Sequence, residues 1–419
     1  MTEQSKPQPS PMLHLSPDPS FHFEILRAVS IAPYQGADIG EVLTAAAAIL
    51  PGDFESYYTA FHSLALRVRK QAAAIDPNKF PVSARNAYFR EATYLRSAEF
   101  FLHGNWDDER IKTTWKEHRA AFDKALALLP VPGVRADLRA EGGEFHVPII
   151  FYGCGRPGRH PTVIMCNGYD GSQEELYHVA AEAALSRGIN VITYEGPGQP
   201  TVRREQNLGF IPQWERVVSV VIDYALARDD VQPDALGLWG YSLGGFLAAR
   251  AAAAMEPRSE PRIAAVMAID GVSDFGAGVL EKFPPELLAL FQNGNKEAFD
   301  QAVTSALSRP GAPTPFRWAV EQGLWAFNLK SPFEWATKCL DFKLGDAIRH
   351  IGVPFFVADA ENDELLPGQA KGLADEVGEL ATYHLFSAED GAGEHCSIGA
   401  AVLQNQVVFD WFQDVVSRK

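Results

Sequence analysis

A Gly-Tyr-Ser-Leu-Gly motif at residues 240–244 limits the folds open to this chain more than any other part of the sequence. It directly follows the apolar run 235–239, and an Ala-rich stretch with helical spacing begins at Gly244. A strand that turns sharply into a helix tolerates only small residues beside the turn, and the turn lifts the serine hydroxyl above the end of the strand. The motif therefore predicts that Ser242 is a nucleophile. It also predicts that the backbone N–H of Leu243, at the start of a helix, binds a developing oxyanion.

The chain after residue 135 alternates short apolar runs rich in Val, Ile and Phe with helical stretches. This alternation is typical of the α/β class, a mostly parallel sheet with helices on both faces. The predicted strands are 145–152, 162–166, 190–194, 235–239, 263–269, 354–358 and 382–386. The predicted helices between them are 173–187, 213–228, 244–256, 367–377 and 400–416.

The remaining parts of the chain have other patterns. Helical spacing before residue 135, as in 83–104 and 111–129, predicts an N-terminal helical region, and the Pro-rich start predicts a flexible leader. The alternation lapses between 270 and 354, which predicts a helical insertion. Its aromatic residues form the insertion's own core, which we favour, or line a ligand pocket. The predicted organisation is a leader (1–20), a helical region (21–135), an α/β core (136–275 and 346–419) and a helical cap (276–345).

A serine nucleophile needs a base and an acid that orients the base. His395 lies in a Gly-containing loop, 389–396, between the last predicted strand and the C-terminal helix, and we predict that it is the base. The acid is expected in the loop after the strand 354–358. Asp363 is our preferred residue, with Asp359 and Glu361 as alternatives.

Several further residues follow predicted strands and are candidates for the same site. In the loop 167–171 the backbone N–H of Tyr169, or alternatively that of Gly168, is the predicted second oxyanion donor. Asp170 either contacts substrate or caps the following helix. Further candidate substrate contacts at the same sheet edge are Gly168, Tyr241, Asp270 and Asp274. A capping or ion-pair role is the alternative for Asp270 and Asp274.

Composition excludes several classes of function. The chain has 53 acidic and 37 basic side chains, a net charge of -16, which repels nucleic-acid backbones and anionic membrane surfaces. No apolar run reaches the roughly 18 residues of a membrane span, and four cysteines without a CxxC pair indicate neither a disulfide framework nor a zinc cluster. We expect a cytoplasmic protein that binds a small-molecule substrate and no metal, cofactor, nucleic acid or membrane. A homodimer is left open.

The motifs together resemble the α/β-hydrolase superfamily. The resemblance rests on the Gly-Tyr-Ser-Leu-Gly-Gly elbow, the Asn-Gly-Tyr-Asp-Gly loop, the Glu-Gly-Pro-Gly-Gln turn at 195–199, Asp363 and the loop around His395. The helical N-terminal region and the insertion resemble the group of dihydropseudooxynicotine hydrolase and the fungal polyketide-shortening pigment hydrolases. The turn departs from the group's common pattern at two positions: Glu195, where the group commonly has aspartate, and Pro200, where it commonly has glycine.

The resemblance implies a Ser242, Asp363 and His395 triad with Leu243 and Tyr169 as oxyanion donors. It also implies cleavage of a C–C bond next to a ketone, or of an ester or lactone, in a small apolar or aromatic polyketide-like substrate, in secondary metabolism or catabolism. The alternative is a cyclase or lyase of the same fold that uses His395 and the oxyanion hole for proton transfer. A peptidase and a non-catalytic ligand receptor are minor alternatives.

Overall fold

The computed structural model describes residues 12–140, 142–255 and 262–418. Its α-helices are α1 (Pro19–Ser30), α2 (Ile39–Ala46), α3 (Phe54–Ala73), α4 (Pro81–Glu99), α5 (Arg110–Ala127), α6 (Glu182–Ser186), α7 (Pro200–Glu205), α8 (Glu215–Leu226), α9 (Leu243–Met255), α10 (Phe275–Glu281), α11 (Pro285–Gln292), α12 (Lys296–Leu307), α13 (Thr314–Phe327), α14 (Pro332–Cys339), α15 (Gln369–Val377) and α16 (Ala401–Ser417). Its strands are β1 (Val134–Arg139), β2 (His146–Tyr152), β3 (His160–Cys166), β4 (Asn190–Tyr194), β5 (Val231–Tyr241), β6 (Ala265–Ile269), β7 (Phe355–Ala360) and β8 (Ala381–Phe386).

All eight strands join in one sheet with the order β1-β2-β4-β3-β5-β6-β7-β8. The pairs β1–β2 and β2–β4 are antiparallel, and the pairs from β4 to β8 are parallel. Cys166 pairs with Gly240, and Tyr241 pairs with Ile269, so β3, β5 and β6 end side by side. This register brings the loop 167–171, Ser242 and Asp270 to one edge of the sheet.

Helices cover both faces of this sheet because its central strands are apolar on both sides. In β3, Val163 and Met165 pack into one cluster with the N-terminal helices and α16, whereas Ile164 packs into a second cluster with α8 and α9. Strands buried on both faces need such continuous apolar runs. The predicted α/β class is confirmed.

The edge strand β1 is the one strand of the described sheet that the sequence does not predict. It crosses the predicted boundary at 135/136, and its side chains are exposed or half-buried. An edge strand has a neighbour on one side only, so it needs no apolar run and gives little sequence signal. Val134 and Arg135, at the end of the predicted helical region, thus belong to the sheet.

The start of α1 also differs from the prediction. The first eleven residues of the predicted leader lie outside the described residues. α1 begins at Pro19, inside that leader, and Asp18 caps it by accepting a hydrogen bond of 3.1 Å from Phe21 N–H. Thr314 also donates to the buried Asp18 carboxylate at 2.7 Å. Asp-Pro is a common pair of residues at a helix start, and it ties this end of the chain to α13. The other predicted regional boundaries stay a prediction.

The insertion between β6 and β7 is helical, comprising α10 to α14, and aromatic residues fill its interior. Phe299 contacts Phe283, Phe291 and Phe333 with ring centroids 5.5 to 5.7 Å apart. These four rings therefore form the insertion's own core. Trp318 instead stacks on Phe100 near the end of the N-terminal helices, with centroids 5.5 Å apart.

Candidate active site

The turn between β5 and α9 has the geometry that the Gly-Tyr-Ser-Leu-Gly motif predicts. Ser242 has a left-handed φ of +59°. A Cβ on Gly240 would lie 1.9 Å from the Gly244 carbonyl oxygen, and a Cβ on Gly244 would lie 2.8 Å from the Cys166 and Asn167 carbonyl oxygens. Because backbone atoms cannot move aside as side chains can, both positions need glycine. The strained turn leaves Ser242 half-buried at the edge of the sheet.

Three predicted residues from distant parts of the chain meet at this turn. His395 Nε2 is 2.8 Å from Ser242 Oγ, and His395 Nδ1 is 2.9 Å from Asp363 Oδ2. The other Asp363 oxygen accepts the N–H groups of Leu365 at 2.8 Å and Leu366 at 3.1 Å. These backbone donors hold the carboxylate in place, so the imidazole is fixed between an acid and a hydroxyl.

The two alternative acids have other partners. Tyr383 donates its hydroxyl to Asp359 Oδ2 at 2.8 Å, and Ala388 N–H donates to Glu361 Oε2 at 2.7 Å. Neither contact reaches His395. Asp363 is the one of the three loop carboxylates that hydrogen-bonds to the imidazole.

Burial and their mutual contact determine the pKa values of His395 and Asp363. Burial disfavours the imidazolium, but the Asp363 carboxylate outweighs it, so the pKa of His395 is raised well above its ordinary value. Burial likewise opposes the carboxylate, yet the contact with His395 lowers the pKa of Asp363. The arrangement stabilises a positively charged imidazole, the form that a general base adopts after it accepts a proton.

Asp270 is a second acid beside the same imidazole. Its Oδ2 lies 3.5 Å from His395 Nδ1 and accepts the backbone N–H of Cys396, whereas Oδ1 has no hydrogen-bond partner among the described residues. Burial raises the pKa of Asp270 to about 8. This side chain is 1% exposed and supports the turn that carries His395, and its contact with substrate stays a prediction.

The loop 167–171 lies against the serine turn, as predicted. A Cβ on Gly168 would lie 2.8 Å from the backbone nitrogen of Leu243. Leu243 begins α9, and the first N–H groups of a helix point out of it without a helical acceptor. Tyr169 donates its hydroxyl to the Ala319 carbonyl at 3.0 Å, and its own carbonyl accepts from Gln322 Nε2 at 2.9 Å.

The turn at 195–199 contacts this loop through Gln199. Gln199 Nε2 donates to the Asn167 carbonyl, and Gln199 Oε1 accepts the Gly196 N–H at 2.9 Å. Pro200, one of the two departures from the group pattern, is the first residue of α7. Gln199 and Gln322 were not among the predicted site residues.

The other three candidate contacts have structural partners. Tyr241 donates its hydroxyl to the Cys396 carbonyl at 2.8 Å. Asp274 caps α10 through the Ala277 N–H at 2.9 Å and pairs with Lys343 at 2.9 Å, as the alternative prediction has it. Asp170 accepts from Arg27 at 2.8 Å, and it does not cap the next helical turn, where Ser172 Oγ accepts the Glu175 N–H.

One cluster of side chains has the residue types of a metal site. Possible ligand atoms of Asp270, His395 and Cys396 lie within 4.8 Å of one another. Both His395 ring nitrogens are already engaged by Ser242 and Asp363, and burial raises the pKa of the Cys396 thiol to about 12. A neutral thiol and an engaged imidazole are poor metal ligands, so the cluster fits a hydrogen-bonded site better than a metal site.

Comparison with known proteins places the chain. The profile described as the alpha/beta hydrolase family matches residues 100–401. The chain belongs to the alpha/beta hydrolase family. The predicted superfamily and the prediction of a hydrolase are thereby confirmed.

None of the described helices is long and apolar enough to cross a bilayer.

Individual relatives support the predicted subgroup. The chain is 31% identical over 423 residues to hydrolase LUC6 of a Fusarium species, covering 96% of this chain and 98% of that one. It is 30% identical over 427 residues to 20-hydroxy-prefusarin hydrolase FUS2 of Gibberella moniliformis, covering 95% and 97%. The fold is similar to that of 2,6-dihydroxy-pseudo-oxynicotine hydrolase, with a TM-score of 0.69, 22% identity, and coverage of 93% and 95%.

Proposed function

We propose that this hydrolase cleaves its substrate by nucleophilic catalysis, with Ser242 as nucleophile, His395 as base and Asp363 as the acid that orients it. The observation that carries the proposal is the hydrogen-bonded series Ser242 Oγ, His395 Nε2 and Nδ1, and Asp363 Oδ2, with contacts of 2.8 and 2.9 Å. Such contacts are within the reach that proton transfer from a nucleophile requires.

The reaction begins when Ser242 Oγ attacks a substrate carbonyl carbon and its proton moves to His395 Nε2. The carbonyl oxygen becomes an oxyanion, which the N–H groups of Leu243 and Tyr169 stabilise. Collapse of this intermediate breaks the bond to the leaving group, which takes the proton from His395. Water then attacks the acyl-serine with His395 again as base, releasing a carboxylic acid and restoring the serine.

The same protein groups serve two kinds of leaving group. For an ester or lactone the leaving group is an alcohol, and for a β-dicarbonyl compound it is a carbon acid. In both cases His395 supplies one proton, and no redox cofactor is required. We therefore propose cleavage of a C–C bond next to a ketone, or of an ester or lactone, as the reaction class.

Two observations support a small apolar or aromatic substrate. Tyr169 is surrounded by Phe275, Trp318 and Phe327, with ring centroids 5.6 to 6.4 Å from its own. Aromatic side chains near a few oriented polar groups are typical of small-molecule sites. The names of one relative and of one similar structure refer to hydroxylated organic compounds. We propose a polyketide-like substrate from secondary metabolism or catabolism on this basis.

Turnover of two model substrates by matched serine variants tests the proposal. Wild type, Ser242→Ala and Ser273→Ala would be assayed with 4-nitrophenyl butyrate and with 1-phenylbutane-1,3-dione. Ser273 is a control at the same sheet edge, where its hydroxyl donates to Gln369 at 3.2 Å. We expect a loss of about 10⁴-fold or more in kcat for Ser242→Ala and near wild-type activity for the control.

The outcome also separates the alternatives. The preferred substrate distinguishes ester from C–C cleavage. Near-full activity of a folded Ser242→Ala protein, together with loss of activity in His395→Ala, would contradict nucleophilic catalysis and favour the cyclase or lyase alternative.

A further inference from the structure

We propose that Arg27 and Arg96, in the N-terminal helices α1 and α4, are positioning residues for the loop that carries the Tyr169 oxyanion donor. The inference rests on the proposed function, because it assigns Tyr169 N–H to the transition state. It extends that function by making the N-terminal helices part of the catalytic apparatus.

The first link is direct contact with the residue after Tyr169. Arg27 Nη1 donates to Asp170 Oδ1 at 2.8 Å, and Arg96 Nη2 lies 3.4 Å from the same oxygen. Asp170 follows the donor residue immediately, so its carboxylate fixes the chain one peptide beyond the proposed N–H.

The second link reaches the opposite end of the loop. Arg27 grips Glu175 with two bonds of 2.7 Å, Nε to Oε1 and Nη2 to Oε2. Glu175 Oε2 also accepts from Asn167 Nδ2 at 3.4 Å. The planar guanidinium fixes direction as well as distance in such a two-point contact. Arg27 thus holds Asp170 directly and Asn167 through Glu175.

The arginines are themselves held rigidly. Glu24 accepts from Arg96 Nη1 at 2.9 Å and from Arg27 Nη1 at 3.1 Å. The ring of Phe100 lies under both guanidinium groups, 4.6 Å from Arg96 and 5.6 Å from Arg27. The Arg27 side chain is 10% exposed and that of Arg96 is 7% exposed. These contacts leave little freedom to either guanidinium.

The cost of this arrangement argues for a role beyond stability. Burying ions is expensive, and apolar residues of similar size often stabilise a protein as well as a buried ion pair does. The Glu175 carboxylate stays charged despite burial, because Arg27 and Arg96 lower its pKa to about 2. These charges contact the loop 167–171 at Asn167 and Asp170, on either side of an N–H that must be aimed within a few tenths of an ångström.

The variant Asp170→Asn tests the proposal because it keeps the side-chain shape and removes the charge that the arginines hold. Transition-state stabilisation would be read with phenylboronic acid, which forms a bond from Ser242 Oγ to boron while the hydroxyl proton moves to His395. The resulting tetrahedral anion occupies the oxyanion site. Benzyl alcohol, a neutral ligand, would report ground-state binding.

We expect Asp170→Asn to lower kcat about 10- to 100-fold with KM within about twofold, and to weaken phenylboronic acid by a similar factor. Binding of benzyl alcohol is expected to stay unchanged. Arg27→Lys, which keeps the charge and loses the two-point grip, is a second variant with the same expected direction. Glu91→Gln is the matched control: its buried carboxylate pairs with Arg69 at 2.6 Å within the N-terminal helices. It should leave the kcat and the affinity for boronic acid unchanged.

Equal weakening of boronic acid and benzyl alcohol in Asp170→Asn, or unchanged kinetics in both folded variants, would overturn the positioning role. Failure of the proposed function has a different signature. In that case Ser242→Ala would bind phenylboronic acid as tightly as wild type does.

Discussion

The buried carboxyl group of Asp270 gives a prediction that links the active site to stability. Asn in place of Asp270 resembles the protonated acid in shape and removes its titration. Asp270 is 1% exposed, and burial raises its pKa from 3.8 to about 8. At neutral pH the native protein therefore holds this acid in its uncharged form beside His395.

The pH dependence follows from proton linkage. Above pH 3.8 the unfolded chain loses the proton of this carboxyl group, whereas the folded protein keeps it until about pH 8. Within that window the folded state binds one more proton, so stability falls by about 1.4 kcal/mol per pH unit relative to Asp270→Asn. Between pH 5 and pH 8 the difference amounts to about 4 kcal/mol at most.

Denaturant unfolding of wild type and Asp270→Asn at pH 5, 6, 7 and 8 measures this difference. We expect the unfolding free energy of the variant to increase steadily relative to that of wild type as pH rises. The difference should appear as a shift of the denaturant midpoint, while the slope of the free energy against denaturant concentration stays unchanged. A difference in unfolding free energy that stays constant across the four pH values would refute the assignment of a neutral Asp270.

Three further predictions concern Asp363, Gly244 and Tyr169. Asp363→Asn removes the carboxylate that raises the pKa of His395, so the acid limb of the kcat/KM profile should shift to lower pH while its maximum falls about 10²- to 10⁴-fold; an unshifted limb would contradict this. Gly244→Ala should lower the melting temperature by several degrees, since its Cβ meets two carbonyl oxygens at 2.8 Å. Gly372→Ala, at a helical position where an added Cβ would lie 3.7 Å from Ser273 Oγ, an ordinary contact distance, should not lower it. Tyr169→Phe loses one hydrogen bond to Ala319 and keeps the backbone donor, so it should cost about 1 kcal/mol in a urea melt and leave kcat within about fivefold; a hundredfold loss of kcat would contradict it.

The serine turn and its partners could be predicted because their signals are local. Ser242 lies in a five-residue pattern whose glycines meet a close backbone approach, and Asp363 and His395 each follow a strand. The parallel register then brings strand ends to one edge without further information. The order of these residues along the chain was therefore enough to predict that they meet at one site.

Contacts between distant parts of the chain could not be predicted in this way. Arg27 meets Glu175 across 148 residues, and Gln322 meets Tyr169 across 153. Nothing in the local pattern of α1 or α13 indicates such a partner. Asp270 was predicted as a substrate contact because it follows a predicted strand. Its hydrogen bond from the Cys396 N–H depends on the left-handed conformation of Cys396, which has a φ of +58°.

Two elements, α1 and β1, had local sequence patterns that were too weak to predict them. Asp18 and Pro19 have the residue types of a helix start, but the surrounding prolines favoured a leader. β1 has a half-exposed pattern without an apolar run, so nothing distinguished it from a connection. β1 lies at the edge of the sheet, where burial constrains the sequence least.

Intact-mass labelling with a fluorophosphonate probe tests whether Ser242 is the nucleophile. We predict that wild type gains the mass of one adduct at Ser242, that Ser242→Ala gains none, and that His395→Ala is labelled at least about 100-fold more slowly. A folded wild-type protein that stays unlabelled, or Ser242→Ala labelled as fast as wild type, would contradict the account.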